Sequence, residues 1–220
     1  MSRSRIQGQH AGLDTRAILR AAIQLADRDG LSALSMRRLG AELGVEAMAL
    51  YHHIPSKDAL LDGMVEELAA AVPVPELDGT NWPEGLRSYS RAQLDNLTAH
   101  PNLVALILSR PAVTERNLRM METLLESLGE AGFPPGRALD IVYALNALIL
   151  VHAALAAGTG GAPGPHGDAG QNRRLAEISP DDYPLLTRAA GDSEGRGPTA
   201  RFEFTLDALL AGFADADAQP

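Results

Sequence analysis

The sequence predicts an all-α protein: an N-terminal three-helix helix-turn-helix domain followed by a larger C-terminal helical bundle. Three observations predict it. Apolar residues recur at spacings of three and four along most of the 220 residues. Alternating apolar and polar runs rich in β-branched residues, the mark of strands, are missing. Capping and stopping residues bracket the periodic stretches.

Residues 1–13 are polar and Gly-containing, with Arg3 and Arg5, and read as a disordered basic arm. Asp14 is the expected N-cap of a helix with Ile18, Leu19, Ala22, Ile23 and Ala26 inward, stopped by Gly30. Ser35 opens a short helix burying Met36, Leu39 and Leu43, with Gly44 at its end. A third helix runs from Val45 and stops before Pro55. These elements form a domain over 14–55. Ser56 caps a linking helix, 56–72, with Leu60, Leu61, Met64, Val65 and Leu68 as its stripe. After the Pro73–Asn81 connection, helices are expected at 82–99, 102–110, 114–131, 136–157, 180–190 and 199–214, within a second domain over 73–220. Residues 158–178 are Gly/Pro-rich and read as irregular.

Composition narrows the function. Hydrophobic residues make up 45% and charged residues 21%, as in an ordinary folded domain. Asp140, Asn146 and His152 interrupt the longest apolar stretch, 138–157, which reads as a core helix, so no membrane partner is expected. No apolar run follows Arg3 and Arg5, so no secretory signal is expected. The chain holds no cysteine, which excludes disulfides and thiolate chemistry and fits a cytoplasmic protein. The net charge is −9, unevenly spread: residues 1–60 hold eight basic against six acidic side chains, residues 61–220 eleven against twenty-two. A polyanion is attracted to the front and repelled by the rest. Paired catalytic carboxylates, a His/Asp/Glu metal set and a phosphate-binding loop are all missing; GTGGAPG at 158–164 lacks a following Lys-Ser/Thr. An enzyme, a metal and a cofactor are therefore not expected.

Residues 35–53 have the form of a helix-turn-helix. In the second helix Val45 and Leu50 can anchor inward, which leaves Glu46, Ala47, Met48, Tyr51 and His52 facing out. Tyr51, His52, His53 and Lys57 supply hydroxyl, imidazole and ammonium groups suited to phosphate oxygens. Arg37 and Arg38 are placed so that one guanidinium can reach guanine and the other a phosphate.

The run LSALSMRRLGAELGVEAMALYHHIPSKDALLDGM, residues 31–64, resembles the DNA-binding signature of the TetR family of repressors. The matching features are the Ser-x-x-x-Leu helix, the Leu-Gly-Val turn, the Leu-Tyr-x-His recognition helix and the Lys-x-x-Leu-Leu opening of the fourth helix. The resemblance covers roughly 14–68. It implies that Ser35, Arg37, Ala47, Met48, Tyr51, His52, His53 and Lys57 contact DNA. Arg37, Ala47 and Met48 would face base edges, and Tyr51, His53 and Lys57 would clamp phosphates. One departure stands out: Glu46-Ala47-Met48-Ala49 carries no neutral polar side chain, so base reading rests on Arg37 and on apolar contact with thymine methyls.

Residues 100–139, from the His-Pro opening through Arg-Pro to the Gly-Phe turn, resemble the C-terminal domain of the tetracycline-repressor branch. That resemblance implies a small-molecule chamber and pairing of two copies through helices 136–157 and 199–214. Candidate lining residues are Trp82, Leu86, Tyr89, Gln93, Leu106, Met121, Leu125, Tyr143 and Asn146. For Asn146 a bond across the dimer seam is the alternative, and for Tyr143 simple packing. Leu106 stands where the branch places a metal-binding histidine, so magnesium–tetracycline is not the expected ligand. The expectation is a homodimeric repressor released from a palindromic operator by a small, largely apolar effector. The alternative is a constitutive DNA binder whose rear domain only dimerises.

Overall fold

The computed structural model describes residues 13–110, 114–158, 178–192 and 197–215. Most of the expected N-terminal arm and of the Gly/Pro-rich stretch lie outside these residues. The described chain is helical, with ten α-helices and two 3-10 turns among the described residues.

α1 spans Thr15–Asp29, and the Asp14 carboxylate accepts the Ala17 N–H at 2.6 Å. That bond satisfies one of the donors a helix start leaves unpaired. Gly30, at φ +81°, ends the helix with its N–H on the Ala26 carbonyl. A 3-10 turn at Leu31–Ala33 then leads into α2 (Met36–Glu42), where the Ser35 hydroxyl accepts the Arg38 N–H at 3.2 Å. α3 is Ala47–Tyr51, shorter than expected. The turn consumes Val45, whose N–H bonds the Gly40 carbonyl at 2.9 Å, and Glu46, which is extended. α4 is Lys57–Ala69, with the Ser56 hydroxyl accepting the Ala59 N–H.

The rear bundle comprises α5 (Trp82–Thr98), α6 (Val104–Ser109), α7 (Glu115–Glu130), α8 (Pro135–Ala156), α9 (Pro184–Asp192) and α10 (Pro198–Asp215). The expected helix at 102–110 divides into a 3-10 turn at Pro101–Leu103 and α6. α9 begins four residues later than expected. Tyr183 N–H closes a turn onto the Ser179 carbonyl, and Pro184, with φ already helical and no N–H to lose, starts the helix. α8 is long and apolar enough to cross a membrane. Here it is the middle of the bundle, packed against α5, α6, α7 and α10.

Two cores form. Ile18, Leu25, Leu34, Leu39, Leu50, Leu60 and Met64 are sealed in the front one, and Leu86, Leu128, Ile141, Phe202 and Leu206 in the rear one. Leu103 and Leu106 sit in the front core, so α6 is a wedge from the rear domain into the head. Two polar ties reinforce the wedge. His100 Nδ1 lies 2.8 Å from Asp27, and Asn102 donates to the Ala26 and Asp27 carbonyls at the end of α1.

The connection between the domains is pinned by Ser127, whose buried hydroxyl donates to the Pro75 carbonyl at 2.6 Å and accepts the Leu77 N–H at 3.1 Å. Ser127→Ala removes both bonds and leaves the buried Leu77 N–H without its partner. A loss of about 2 kcal/mol is expected in urea unfolding, with the midpoint shifted and the slope unchanged.

Candidate DNA interface and ligand cavity

α2 and α3 are held face to face by a close backbone crossing. A Cβ on Gly40 would lie 2.9 Å from the Val45 carbonyl oxygen and 3.2 Å from Ala47 N, so only glycine lets the recognition helix sit this close. Gly44 turns the chain at φ +68°, the left-handed region that suits a residue without Cβ. With Leu50 fully buried as its anchor, α3 presents its other side to solvent. Met48 is 68% exposed and Tyr51 41%. His52, His53 and Lys57 are exposed beside them, at the end of α3 and the first turn of α4.

The sequence-predicted contact residues do not all share this freedom. Arg37 is exposed and forms no ion pair among the described residues. Arg38, expected to reach DNA, instead donates to Asp29 at 2.6 Å, tied back to α1. Its neighbour Arg28 forks onto Glu42 with two bonds of 3.0 Å and holds that carboxylate below its usual range. Ser35 spends its acceptor on capping α2. Ala47 is half-buried against the head core and turns only part of its methyl outward. The outward cations and polar groups are thus Arg37, Tyr51, His52, His53 and Lys57.

In the rear domain a cavity of about 350 Å³ opens among α4, α5, α6, α7 and α8. Of the nine predicted lining residues, Tyr89, Gln93, Met121 and Asn146 border it. The structure places the other five elsewhere. Trp82 packs edge-on against Phe133 with ring centres 5.0 Å apart, under the interdomain connection. Leu86 borders only a tiny cleft deeper in the bundle. Leu106 is buried in the head core, and its neighbours Ile107 and Leu108 take the cavity wall instead. Leu125 packs at the edge of the rear core. Tyr143 is 60% exposed and does not border the cavity.

The cavity wall is mainly aliphatic, with a few polar groups. Gln93 donates to the Tyr89 hydroxyl at 3.1 Å and reaches the Ala69 carbonyl of α4. Burial pushes the Tyr89 phenol up, so it stays a neutral donor. Two polar lining residues were missed in the sequence. Asn117 is buried on α7, its side-chain amide without a partner among the described residues. It follows the spacing of Met120, Met121 and Leu124, a signal that was available. Arg110, at the end of α6, is the other.

A second, wider groove of about 510 Å³ runs between α1, α4 and α7. It is open to solvent, and Glu67 bridges its two arginines, Arg16 at 3.7 Å and Arg116 at 2.8 Å. It reads as a hydrated seam, whereas the first cavity is an apolar chamber with few convergent polar groups.

α8 and α10 pack side by side, and their outer faces carry apolar residues that nothing among the described residues covers. Tyr143, Ala147, Val151 and Leu155 follow a four-residue spacing on α8, and Phe204, 75% exposed, stands with Ala200, Ala208 and Ala211 on α10. Beneath this face His152 meets Phe202 edge-on and bonds the Leu148 carbonyl, a histidine satisfied by packing.

Comparison with known proteins agrees with this geometry. The family model described as the tetracyclin repressor-like C-terminal domain matches residues 74–216, and that of the bacterial regulatory proteins of the tetR family matches residues 18–64. The chain is 31% identical over 202 residues to an HTH-type transcriptional regulator of Saccharopolyspora erythraea, covering 90% of this chain and 83% of that protein. It is 30% identical over 211 residues to the class A tetracycline repressor protein from transposon 1721 of Escherichia coli, covering 92% and 91%. Apo ActR from Streptomyces coelicolor superposes with a TM-score of 0.80 at 26% identity, over 95% of this chain and 99% of that one. ActR in complex with actinorhodin superposes with a TM-score of 0.78 at 26% identity, over 95% and 100%. With both domains matched, the chain belongs to the TetR family: it is a DNA-binding transcriptional regulator with a ligand-binding C-terminal domain.

Proposed function

We propose that the protein is a homodimeric repressor that leaves a palindromic operator when a small, largely apolar molecule enters the rear cavity. One observation carries the reading: α4 starts at Lys57 beside the recognition helix and, through Val65 and Ala69, walls the cavity at its other end. A ligand that prefers one position of α4 therefore changes operator affinity by its differential affinity for the two positions. The apolar face of α8 and α10, exposed among the described residues, supports pairing, which would set two recognition helices about one helical turn apart on DNA. Such a regulator acts by binding rather than by catalysis, and works in the cytoplasm with the chromosome. Nothing at Leu106 can ligate a metal, so magnesium–tetracycline is not the proposed effector.

Gel-shift titration tests the DNA side. Lys57→Ala is expected to weaken binding and lower the slope of log affinity against log salt by about one. Arg37→Ala is expected to weaken binding by about 1–3 kcal/mol and to relax sequence preference. Unchanged affinity and slope in both variants would refute the interface. A thermal-shift screen tests the ligand side. A true effector at one hundred times its Kd adds about 2.7 kcal/mol. A compound that stabilises strongly without weakening operator binding would point to a constitutive binder.

A further inference from the structure

Arg110 touches both halves of the machine. Its side chain, 21% exposed, borders the cavity at the end of α6. Its guanidinium also reaches α4: Nη1 donates to Asp62 at 2.5 Å and to the Asp58 carbonyl at 3.3 Å, and Nη2 donates to the Asp58 carboxylate at 2.8 Å. Asp58 directly follows Lys57, the phosphate-facing cation of the proposed interface. Among the described residues, Arg110 is the one charged side chain on the cavity wall, and no carboxylate lines it. The Nε–H and the second Nη2 proton of the fork have no partner among the described residues.

We propose that Arg110 reads the effector, and that the effector is an apolar molecule carrying a negatively charged group. The inference rests on the effector-released repressor reading above and adds the ligand's chemistry to it. A carboxylate, sulfonate or phenolate in the cavity forms charge-assisted bonds with the guanidinium, whose fixed fork suits such planar or multidentate anions. Asn117 and the neutral Tyr89 phenol give secondary donors, while the aliphatic wall takes the rest of the molecule. Asp58 and half-exposed Asp62 hold the same guanidinium only through a solvent-screened clamp. An anion in the drier cavity competes with them. As Arg110 turns inward, α4 loses its tether to α6 at the turn that carries Lys57. The ligand's charge is thereby converted into freedom of the DNA-binding end.

Two fluorescent probes that differ only in charge test this on the full chain: 8-anilinonaphthalene-1-sulfonate and neutral N-phenyl-1-naphthylamine. The anion is expected to bind the wild type about tenfold more tightly than the neutral probe. Arg110→Gln should abolish that preference while leaving the neutral probe's Kd within about twofold. Asp58→Asn/Asp62→Asn should tighten the anion about threefold, since the guanidinium is no longer shared, and leave the neutral probe unchanged. Met121→Trp, which fills the cavity, should remove both. Equal binding of the two probes in the wild type, or an anion affinity indifferent to the Asp substitutions, overturns the Arg110 assignment and leaves the repressor reading standing. Binding of neither probe, or binding that survives Met121→Trp, overturns the cavity reading together with this inference.

Discussion

Val151→Glu combined with Phe204→Glu is expected to yield a folded monomer that no longer holds operator DNA. Both side chains are more than half exposed in the single chain, so their replacement costs the isolated fold little, about 0.5 kcal/mol each. In a dimer seam the same glutamates would be buried against their symmetry mates, unpaired and of like charge, which costs several kcal/mol. A dimer on a palindrome gains its second half-site as an intramolecular event, and that gain falls away when the copies separate. Sedimentation equilibrium should therefore show one copy per particle, circular dichroism an unchanged helical signal, and gel shift an operator affinity down at least about a hundredfold. A variant that remains dimeric and binds DNA like wild type would contradict the placement of the seam on α8 and α10.

Gly40→Val should disable the head by a different route. Its new Cβ would press on the Val45 carbonyl and Ala47 N, both backbone atoms that cannot rotate away. The turn must open and α3 must shift, at a cost of about 3 kcal/mol for overpacking a closed crossing. Operator affinity is expected to fall more than a hundredfold, because a recognition helix displaced by fractions of an ångström loses its whole set of contacts. The rear cavity is remote from this crossing, and probe binding there should persist. Gly44→Ala is the milder control. Open space surrounds its Cβ, and the strain is that of φ +68°, about 1–2 kcal/mol. Thermal unfolding with gel shift reads both variants. A Gly40→Val protein with wild-type stability and affinity would mean that the crossing is slack.

Much of the fold was legible because the punctuation is local chemistry. Asp14, Ser35 and Ser56 each cap the helix they were expected to open, since a side-chain acceptor three residues before an N–H needs no distant partner. The head core follows a clean 3.6 period for the same reason. The cavity was less legible. α6 is six residues long, too short for a period to show which of Leu106 or Ile107 faces the ligand; a single residue rotates the face by about 100°. α8 is apolar on nearly every side, so its sequence offers no contrast between the cavity wall at Val142 and the outer face at Tyr143. Arg38 looked as available as Arg37 because its partner, Asp29, belongs to another helix. Arg110 was invisible as a coupling residue, since its carboxylates lie about fifty positions earlier in the chain.

The most direct test of the central claim is selection of bound duplexes from a random DNA pool by the purified protein, followed by sequencing. Two apposed recognition helices reading DNA through Arg37 and an apolar Ala47–Met48 edge predict a two-fold symmetric motif, with half-sites about one helical turn apart. The same selection with Arg37→Ala should lose base preference in each half-site. An asymmetric motif, or no enrichment over the starting pool, would contradict a dimeric operator-binding repressor.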